Sequence, residues 1–594
     1  CLSDANISVN EVEQVAITNT QDRDFFFENK DYFNFKYSKN LLSSSFDNIY
    51  RNTENLIRAR ALTKYLTSTE KNLELLNQIS IQQYPQLQQY IDKEKKIINL
   101  SSEPYVYTKR EGVHKLLQYF IDKDKDSYKK SKDWINENLL LPLEVNLSGK
   151  KLPGFFVDHH FAHIYSTASK APFANSLIFS SDGGGSHVLG NLAAIKNDQG
   201  VFPFAITSFR GGQFYEVCSR YIGLDCGKFM GLSGYGIANI QFITLLSSKY
   251  GAMLNQLKET TFINEFETFF NLKIDRKNTL SKSNISFAAN VQAIFELQYS
   301  QTISKLIDIT NSNLREKIDG VSLSGGSALN CPANSIVAQR IGDKKVYIEP
   351  SCNDEGLAFG AAVCIENLIN AELSIPDINC NSIEFASPFH GSKPIQLRTE
   401  SINKYSNELI FQEIHDDSWG NEVARMLIKG AIGLIIKGKS EIGPRALGNR
   451  SIIAIPHSYD VANHVNQIKG REAWRPLAPA CLEKYFDFFF NGPKNPYMLM
   501  TCKNKNVYFP GVIHVDGTSR VQCVDKNSEN FYLILSAIDK IIKKPMLILN
   551  TSCNRKNEAM INDENTALDF LLSSNANFLV TQKYIISKKL SNLE

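Results

Sequence analysis

The sequence has 594 residues, of which 43% are hydrophobic and 21% charged, and its net charge is +3. This length exceeds what one hydrophobic core supports, so it predicts two or three globular domains. The near-neutral charge gives no overall attraction to nucleic acid or to a membrane surface, and no apolar run reaches the roughly 18 residues of a membrane span, so we expect neither partner.

Eleven cysteines are scattered along the chain, and none forms a C-x-x-C pair. This distribution argues against a zinc ribbon or a disulfide framework and favours a reducing, cytoplasmic location. The first residue is Cys1 rather than Met, and no basic stretch precedes an apolar one there. We therefore expect no signal peptide in this chain, and a fragment whose native N-terminus lies upstream.

The first 150 residues are polar and rich in Asn, Lys and Tyr. Segments 52–66 and 71–98 carry apolar residues at helical spacing, and Pro85 interrupts the second segment. We predict that this region is a mainly helical layer that covers a sheet.

Between residues 153 and 365, short apolar runs alternate with glycine-rich turns. The pattern predicts two strands joined by a turn at 176–196, a strand, glycine turn and helix at 321–341, and a strand, loop and helix at 346–369. Strands that alternate with helices indicate an α/β domain, in which loops at strand ends bind ligands.

Residues 371–400 lose this periodicity and contain three prolines, which is typical of a linker. A helix followed by a strand is then predicted at 422–441, at the start of a second α/β domain. We predict one domain at 1–375, a linker at 376–400 and another domain at 401–594.

A histidine-rich segment, D-H-H-F-A-H, begins at Asp158, a residue type that caps helix N-termini well. His159 and His163 are four residues apart and therefore lie on one helical face, close enough to bind one metal ion, whereas His160 points elsewhere. The alternative for this segment is a solvated helix start.

Two carboxylates at predicted strand ends, Asp182 and Asp354, complete a set of two histidines and two aspartates. Mixed nitrogen and oxygen ligands suit iron, manganese or zinc without choosing among them. We expect the four side chains to converge in one coordination sphere.

Glycine-rich turns follow two of the predicted strands. Asp182 precedes three glycines, and the segment S-G-G-S-A-L-N at 324–330 leads into a helix. Glycines let backbone N–H groups approach phosphate oxygens, and a helix N-terminus attracts anions. Each turn alone is weak evidence, but several in one α/β domain indicate a nucleotide or phosphate site.

The C-terminal half contains basic side chains in near-apolar or glycine- and proline-rich surroundings. They are Lys439, Arg445, Arg450, Lys469, Arg471, Arg475 and Arg520. Because a buried arginine needs an anionic partner, the set predicts a pocket for phosphates or carboxylates. The alternative is internal pairing with Glu441, Glu472 or Asp516.

These motifs, taken in order, resemble the O-carbamoyltransferases of natural-product and nodulation-factor biosynthesis. That family joins a Kae1-like domain, of the actin/Hsp70/sugar-kinase (ASKHA) fold, to a YrdC-like α/β domain. The matching segments span about residues 155–575 and are VDHHFAHIYSTA, SSDGGG, GKFMGLSGYG, LSGGSALNCPAN, EIGPRALGNRS, NQIKGREAWRPLAP, HVDGTSRVQ and NTSCN.

The resemblance implies an ATP-dependent reaction in two steps. The C-terminal domain forms carbamoyl adenylate from carbamoyl phosphate and ATP, and the N-terminal domain transfers the carbamoyl group to a hydroxyl of a small-molecule acceptor. It also implies Mg²⁺ bound with ATP and one divalent metal ion, for which iron is favoured over manganese and zinc. Whether the chain forms a homodimer stays open.

The resemblance assigns roles by motif. The implied metal ligands are His159, His163, Asp182 and Asp354. The implied nucleotide- or adenylate-binding residues are Lys228, Gly325, Gly326, Asn330, Asn550 and Ser552. The implied catalytic residues are Asp182 and the three that hold carbamoyl phosphate and the adenylate, Lys439, Arg471 and Arg520.

The sequence departs from the family pattern at three places. Lys439 stands where an arginine is usual, which replaces a bidentate phosphate contact by a point charge, and Cys553 stands where a phenylalanine is usual. The family's opening strand with a His-Asp turn is absent. We therefore expect an unpaired sheet edge around 176–196, or a cover formed by residues 1–40.

Three alternatives remain for the function. A maturation factor that carbamoylates a protein cysteine normally carries paired zinc-finger cysteines, which this chain lacks. A tRNA threonylcarbamoyl transferase needs a basic RNA surface. An inactive ATP- or metal-binding member of the family is the third. We expect the acceptor pocket to be lined by helices within 240–310.

Overall fold

The computed structural model describes residues 8, 12, 15–18, 33–34, 140–147, 149–185, 190–197, 200–205, 207, 209–251, 258–312, 317–342, 345–370, 387–415 and 418–589. The helices predicted at 52–66 and 71–98 lie outside these residues. Within the described parts, strands and helices occur together in both halves of the chain, which confirms the predicted α/β class.

Nine described strands form two sheets in the first half of the chain. They are β1 (Val15–Ile17), β2 (Phe33–Asn34), β3 (Leu140–Leu147), β4 (Lys150–Val157), β5 (Ser176–Ser181), β6 (Asn191–Asn197), β7 (Gly200–Ala205), β8 (Gly320–Ser324) and β9 (Val346–Ile348). One sheet has the order β1-β4-β3-β2, and the other has the order β7-β6-β5-β8-β9. In the second sheet, β5, β8 and β9 are parallel, so their carboxyl ends meet at one edge.

The strands β5 and β6 are buried along their whole length, as expected for strands covered on both faces. The expectation of an unpaired edge at 176–196 is wrong, because β5 pairs with β6 and β8, and β6 also pairs with β7. The described N-terminal strands belong instead to the other sheet, where β1 runs parallel to β4.

Eight described helices accompany these strands. They are α1 (His159–Lys170), α2 (Gly211–Tyr221), α3 (Cys226–Ser233), α4 (Ile240–Tyr250), α5 (Glu259–Phe270), α6 (Lys282–Ser312), α7 (Cys331–Ile341) and α8 (Leu357–Asn370). Short 3₁₀ turns at Gly326–Leu329 and Asp354–Gly356 precede α7 and α8. The predicted order of strand, turn and helix is therefore confirmed at 321–341 and at 346–369.

Eleven described strands lie in the C-terminal half. They are β10 (Leu409–Glu413), β11 (Gly433–Ile436), β12 (Arg450–Ala454), β13 (Ala478–Leu482), β14 (Phe490–Asn491), β15 (Cys502–Asn504), β16 (Thr518–Ser519), β17 (Gln522–Val524), β18 (Leu547–Ser552), β19 (Phe578–Val580) and β20 (Tyr584–Lys588). Eight of them form a mixed sheet of order β10-β20-β19-β11-β12-β18-β13-β17, and β14, β15 and β16 form a small separate sheet.

Six described helices belong to this half. They are α9 (Thr399–Tyr405), α10 (Trp419–Ile428), α11 (Tyr459–Ile468), α12 (Glu483–Phe489), α13 (Glu529–Ile542) and α14 (Glu564–Ser573). Residues 387–398, in the predicted linker, contain no helix or strand. The helix and strand predicted at 422–441 correspond to α10 and β11.

The two halves contact each other through a loop between β14 and β15. Leu499 is buried in the hydrophobic core of the first half, and its carbonyl accepts a hydrogen bond of 2.8 Å from Asn334 Nδ2. Ser335 Oγ donates to the carbonyl of Thr501 at 3.0 Å. The start of α7, just after the glycine turn, is therefore attached to the C-terminal half.

Among the residues described, none of the helices combines the length and the apolar character that a membrane span requires.

Candidate active site

The histidine segment forms the start of α1, as predicted. Asp158 caps the helix, because its Oδ1 accepts a hydrogen bond of 3.1 Å from the N–H of Phe161. His159 and His163 are fully buried rather than solvated, which excludes the alternative of an exposed helix start. His160 is not part of this group, and its Nδ1 lies 3.0 Å from Ser180 Oγ.

The structure brings the two histidines together with the two predicted aspartates. Nε2 of His159 lies 3.7 Å from Asp182 Oδ2 and 3.7 Å from Asp354 Oδ1. Nε2 of His163 lies 3.5 Å and 3.6 Å from the same two atoms. One ligand atom from each residue lies within 4.8 Å of the others. We call these four residues the His–Asp cluster.

The spacing of the cluster fits a metal ion. Two ligand atoms at about 2.1 Å from one cation and at a tetrahedral angle are about 3.4 Å apart. Within the described part of the chain, neither ring nitrogen of His163 has a hydrogen-bond partner, although both are buried. Burial alone lowers the pKa of His163, but Asp182 and Asp354 outweigh it and raise this pKa to about 9. The cluster therefore favours a positive charge at its centre.

Asp182 is held in place by the glycine turns on both sides of it. Its Oδ1 accepts the N–H of Gly183 and its Oδ2 accepts the N–H of Gly326, each at 2.6 Å. Burial raises the pKa of Asp182, but His159 and His163 outweigh it and lower this pKa well below its usual value. This carboxylate is therefore ionised and fixed, which suits a metal ligand.

The second glycine turn passes close to the end of β5. A side chain at Gly325, which has φ of +79°, would place Cβ 2.2 Å from the carbonyl oxygen of Ser181, so only glycine fits. Asn330 caps α7 by accepting the N–H of Ala333 at 3.1 Å. Its side chain also exchanges hydrogen bonds with Gln292 on α6.

A cavity of about 350 Å³ lies between the two halves of the chain, and we call it the arginine cavity. Five cationic side chains line it: Lys228, Arg445, Arg471, Arg475 and Arg520. Two acidic side chains, Glu296 and Asp516, line it as well. This excess of positive charge suits a ligand that carries phosphate groups.

Among the described residues, three of the arginines, Arg445, Arg471 and Arg520, have no carboxylate within ion-pair distance, and Arg475 alone has one. Arg471 donates from Nε to Asn466 Oδ1 at 2.5 Å, and Nε of Arg520 is buried without a hydrogen-bond partner. Burial and then Arg445 lower the pKa of Arg520 to about 10, and burial, then Arg475 and Arg520, lower that of Arg471 to about 9. An anion in the cavity relieves this repulsion.

A second cavity, of about 340 Å³, adjoins the His–Asp cluster. It is lined by Asp182, Gly326 and Asn330, among other residues. Gly227, Met230 and Arg445 line both cavities, so the two are neighbours. Nε of Arg445 is buried and has no hydrogen-bond partner. This guanidinium therefore stands between the cluster and the arginine cavity.

Other predicted site residues do not line either cavity. Lys439 is exposed, and Asn550 is buried, donating from Nδ2 to Ala446 O and to Gln522 Oε1, both at 2.8 Å. Ser552 Oγ accepts from Lys469 Nζ at 3.1 Å. The predicted roles of Lys439, Asn550 and Ser552 in ligand binding stay predictions.

The seven basic residues grouped in the sequence separate in the structure. Arg450 is fully buried and donates to the carbonyls of Gly438 and Asn449. Lys469 is surrounded by oxygens of Ser552 and Asn554. These two side chains therefore have backbone and side-chain oxygens of the protein interior as their partners, and neither lines the arginine cavity.

The alternative for the seven basic residues was internal pairing with acidic side chains. Among the described residues, one of the seven has such a pair. Arg475 Nη1 lies 3.9 Å from Glu472 Oε2. Glu441 instead accepts backbone N–H groups, of which that of Leu447 is 2.7 Å away. The remaining arginines of the cavity are thus available for a ligand.

The sequence motifs missed one polar network between the two cavities. Tyr215 OH donates to Gln292 Oε1 at 2.6 Å, and Gln292 Nε2 donates to Glu296 Oε1 at 2.8 Å. Burial, opposed by Gln292 and supported by Asp516, raises the pKa of Glu296 to about 7. The available signal was the spacing of Gln292 and Glu296, which lie at i and i+4 on one face of α6.

The chain matches two family models. Residues 4–363 match the model described as the carbamoyltransferase N-terminus, and residues 424–588 match the model described as the carbamoyltransferase C-terminus. The described cluster residues fall in the first match, and Arg445, Arg471, Arg475 and Arg520 fall in the second.

Curated relatives of this chain include a nodulation protein and an O-carbamoyltransferase. The nodulation protein NolNO of Sinorhizobium fredii is 28% identical over 74% of this chain and 65% of its own length. The 3'-hydroxymethylcephem-O-carbamoyltransferase of Amycolatopsis lactamdurans is 26% identical over 70% of this chain and 77% of its own length. The match thus spans slightly less than two thirds of NolNO.

Among solved structures, full-length HypF in its phosphate- and nucleotide-bound form is 17% identical to this chain. The match covers 38% of this chain and 37% of HypF, with a TM-score of 0.23. A TM-score this low supports no conclusion about the fold.

Proposed function

The chain belongs to the carbamoyltransferase family of enzymes, and we propose that it is an ATP-dependent O-carbamoyltransferase that acts on a hydroxyl of a small molecule. In this proposal residues 1–375 form a Kae1-like domain of the ASKHA fold, residues 376–400 are a linker, and residues 401–594 form a YrdC-like domain. The name of the cephem relative, an O-carbamoyltransferase of a hydroxymethyl group, supports oxygen as the acceptor atom.

One observation carries the proposal. The arginine cavity, which suits phosphate groups, neighbours the second cavity, which Asp182 of the His–Asp cluster lines, and Arg445 lines both cavities. A reaction that first activates a carbamoyl group on a nucleotide and then transfers it needs two adjacent sites of this kind. This arrangement supports a two-step reaction within one chain.

In the first step, carbamoyl phosphate and ATP give carbamoyl adenylate. Water replaces the phosphate of carbamoyl phosphate, and a carbamate oxygen bonds to the α-phosphorus of ATP while pyrophosphate leaves. Orthophosphate and pyrophosphate are therefore the two by-products. Arg471 and Arg520 bind the phosphate oxygens, because their guanidinium groups have no carboxylate partner in the cavity.

In the second step, the acceptor oxygen bonds to the carbamoyl carbon, the bond from that carbon to the phosphate oxygen breaks, and AMP leaves. The hydroxyl proton is released as the carbamate ester forms. Asp182 remains fixed by the N–H groups of Gly183 and Gly326 throughout, so the geometry of the cluster is set before the acceptor binds.

A divalent cation held by His159, His163, Asp182 and Asp354 supplies Lewis acidity and orients a reacting oxygen when it is bound. Iron, manganese and zinc all suit this donor set. The chain itself contributes the burial of both histidines, which keeps water from competing for their ring nitrogens.

The test separates the two steps. With carbamoyl phosphate and ATP, Arg520→Ala should abolish pyrophosphate release, since one charge-assisted contact contributes about 1.5–3 kcal/mol or more. His163→Ala should release pyrophosphate at the normal rate but transfer no carbamoyl group to a panel of hydroxylated small molecules.

Arg425→Ala is the matched control, because Arg425 is exposed on α10 and pairs with Glu422. It should behave as the unmodified chain does. Equal loss of pyrophosphate release in the Arg520 and His163 variants would contradict the assignment of two sites.

A further inference from the structure

A buried carboxylate outside both cavities lies near the His–Asp cluster. Glu349 follows β9 and its side chain is fully buried. Its Oε2 accepts a hydrogen bond of 2.7 Å from Ser166 Oγ, and its Oε1 accepts from Lys170 Nζ and from Ser351 Oγ. A buried carboxylate costs several kcal/mol unless its oxygens are paired, so these contacts fix its position.

The partners of Glu349 come from the same face of α1 that carries the cluster histidines. His159, His163, Ser166 and Lys170 follow one another at intervals of four, three and four residues. Side chains at this spacing lie on one side of a helix. The first two belong to the His–Asp cluster and the last two hold Glu349.

The third partner, Ser351, precedes Asp354 by three residues in the loop that brings this aspartate to the cluster. Asp354 needs such support, because its side chain is 52% exposed whereas both histidines are fully buried. Burial of its own side chain therefore does not determine where its carboxylate lies. The position of the loop determines it.

Close backbone contacts support the same conclusion. A Cβ at Gly356 would lie 2.2 Å from the carbonyl oxygen of Ser351 and 3.2 Å from Ser166 Oγ. The 3₁₀ turn that carries Asp354 therefore packs closely against Ser351 and α1, with no room for a side chain at Gly356. On the other side of the loop, a Cβ at Gly443 would lie 2.3 Å from the carbonyl oxygen of Pro350.

We propose that Glu349 is a positioning residue, which ties the Asp354 loop to α1 and so sets the distance between Asp354 and the two histidines. This inference rests on the proposed metal-binding role of the His–Asp cluster. The competing explanation is that the backbone contact with Gly443 holds the loop by itself, in which case the contacts of Glu349 are dispensable for the cluster.

The test measures Co²⁺ binding to the full chain by its visible absorption and by calorimetry. Glu349→Gln and Ser351→Ala should each weaken Co²⁺ binding roughly 10- to 100-fold, the usual effect of removing a group that orients a metal ligand. Both should also alter the Co²⁺ absorption spectrum, because Asp354 is displaced. Ser351→Ala removes one hydroxyl, so it gives a result even if Glu349→Gln does not fold.

Two matched controls separate positioning from general destabilisation. Glu564→Gln removes another buried carboxylate, which accepts from the N–H of Arg398 at 2.7 Å and pairs with its guanidinium. Ser169→Ala removes a hydroxyl on α1 that donates to the carbonyl of Ser166 at 2.8 Å. Both controls should bind Co²⁺ as the unmodified chain does.

Asp354→Ala distinguishes the role of Glu349 from the proposed metal-binding role of the His–Asp cluster, on which it rests. If the unmodified chain binds no Co²⁺, or if Asp354→Ala binds it equally well, the metal-binding role of the cluster is wrong and this inference falls with it. If Asp354→Ala loses binding while Glu349→Gln and Ser351→Ala keep it, the role of Glu349 alone is wrong. Equal losses in the two controls would also overturn it.

Discussion

A single methyl group at Gly326 tests whether the glycine turn is shaped around the carboxylate of Asp182, which we propose as a metal ligand. A Cβ at this position would lie 2.8 Å from Oδ1, 3.2 Å from Oδ2 and 3.3 Å from Cγ of Asp182. Carbon and oxygen atoms normally approach to about 3.3 Å, so the carboxylate must withdraw by about 0.5 Å. Metal–ligand distances tolerate only about 0.2 Å.

Gly326→Ala should therefore weaken Co²⁺ binding roughly 10-fold or more and lower stability by about 1–3 kcal/mol through overpacking. Calorimetric titration and thermal unfolding measure the two effects. Gly184→Ala is the matched control, because a Cβ there meets no atom within 4 Å. Normal Co²⁺ affinity in Gly326→Ala would refute the reasoning, since the carboxylate would then have room to spare.

Two further predictions concern the helices that line the site. Asp158→Ala should lower the stability of the chain by about 1 kcal/mol and weaken Co²⁺ binding, because α1 loses its cap. Asp158→Asn should keep stability and Co²⁺ binding near normal, because an asparagine oxygen also caps a helix. Equal melting temperatures in the two variants would contradict this. Glu296 has a pKa raised to about 7, so the folded chain binds its proton more tightly than the unfolded chain does. The stability gained from this proton is present below about pH 4.5 and is lost as the pH rises through about 7. In Glu296→Gln the melting temperature should therefore fall less between pH 5 and about 7.5 than in the unmodified chain; an unchanged slope would show that other groups cause it.

The local parts of the site follow directly from the sequence. His159 and His163 share a face because the α-helix repeats every 3.6 residues, and Asp158 marks where that helix begins. The glycine turn before α7 was also predictable, since the consecutive glycines Gly325 and Gly326 lie between a strand pattern and a helix pattern. These features depend on neighbours a few residues apart in the chain.

The tertiary structure decided which distant groups meet. The charge pattern placed Lys469 and Arg471 in one basic set, but Lys469 Nζ is enclosed by oxygens of Ser552 and Asn554, more than eighty residues further along, while Arg471 lines the arginine cavity. No periodicity encodes this difference, because it depends on how β18 pairs within its sheet.

The network around Glu349 illustrates the same limit. Its partners Ser166 and Lys170 lie about 180 residues earlier in the chain, and they meet it only because α1 packs beside the end of β9. The sequence determined the chemistry that is available, through residue types and local periodicity. Packing determined which of these groups are buried next to each other. The partners and the charge state of a side chain depend on that burial.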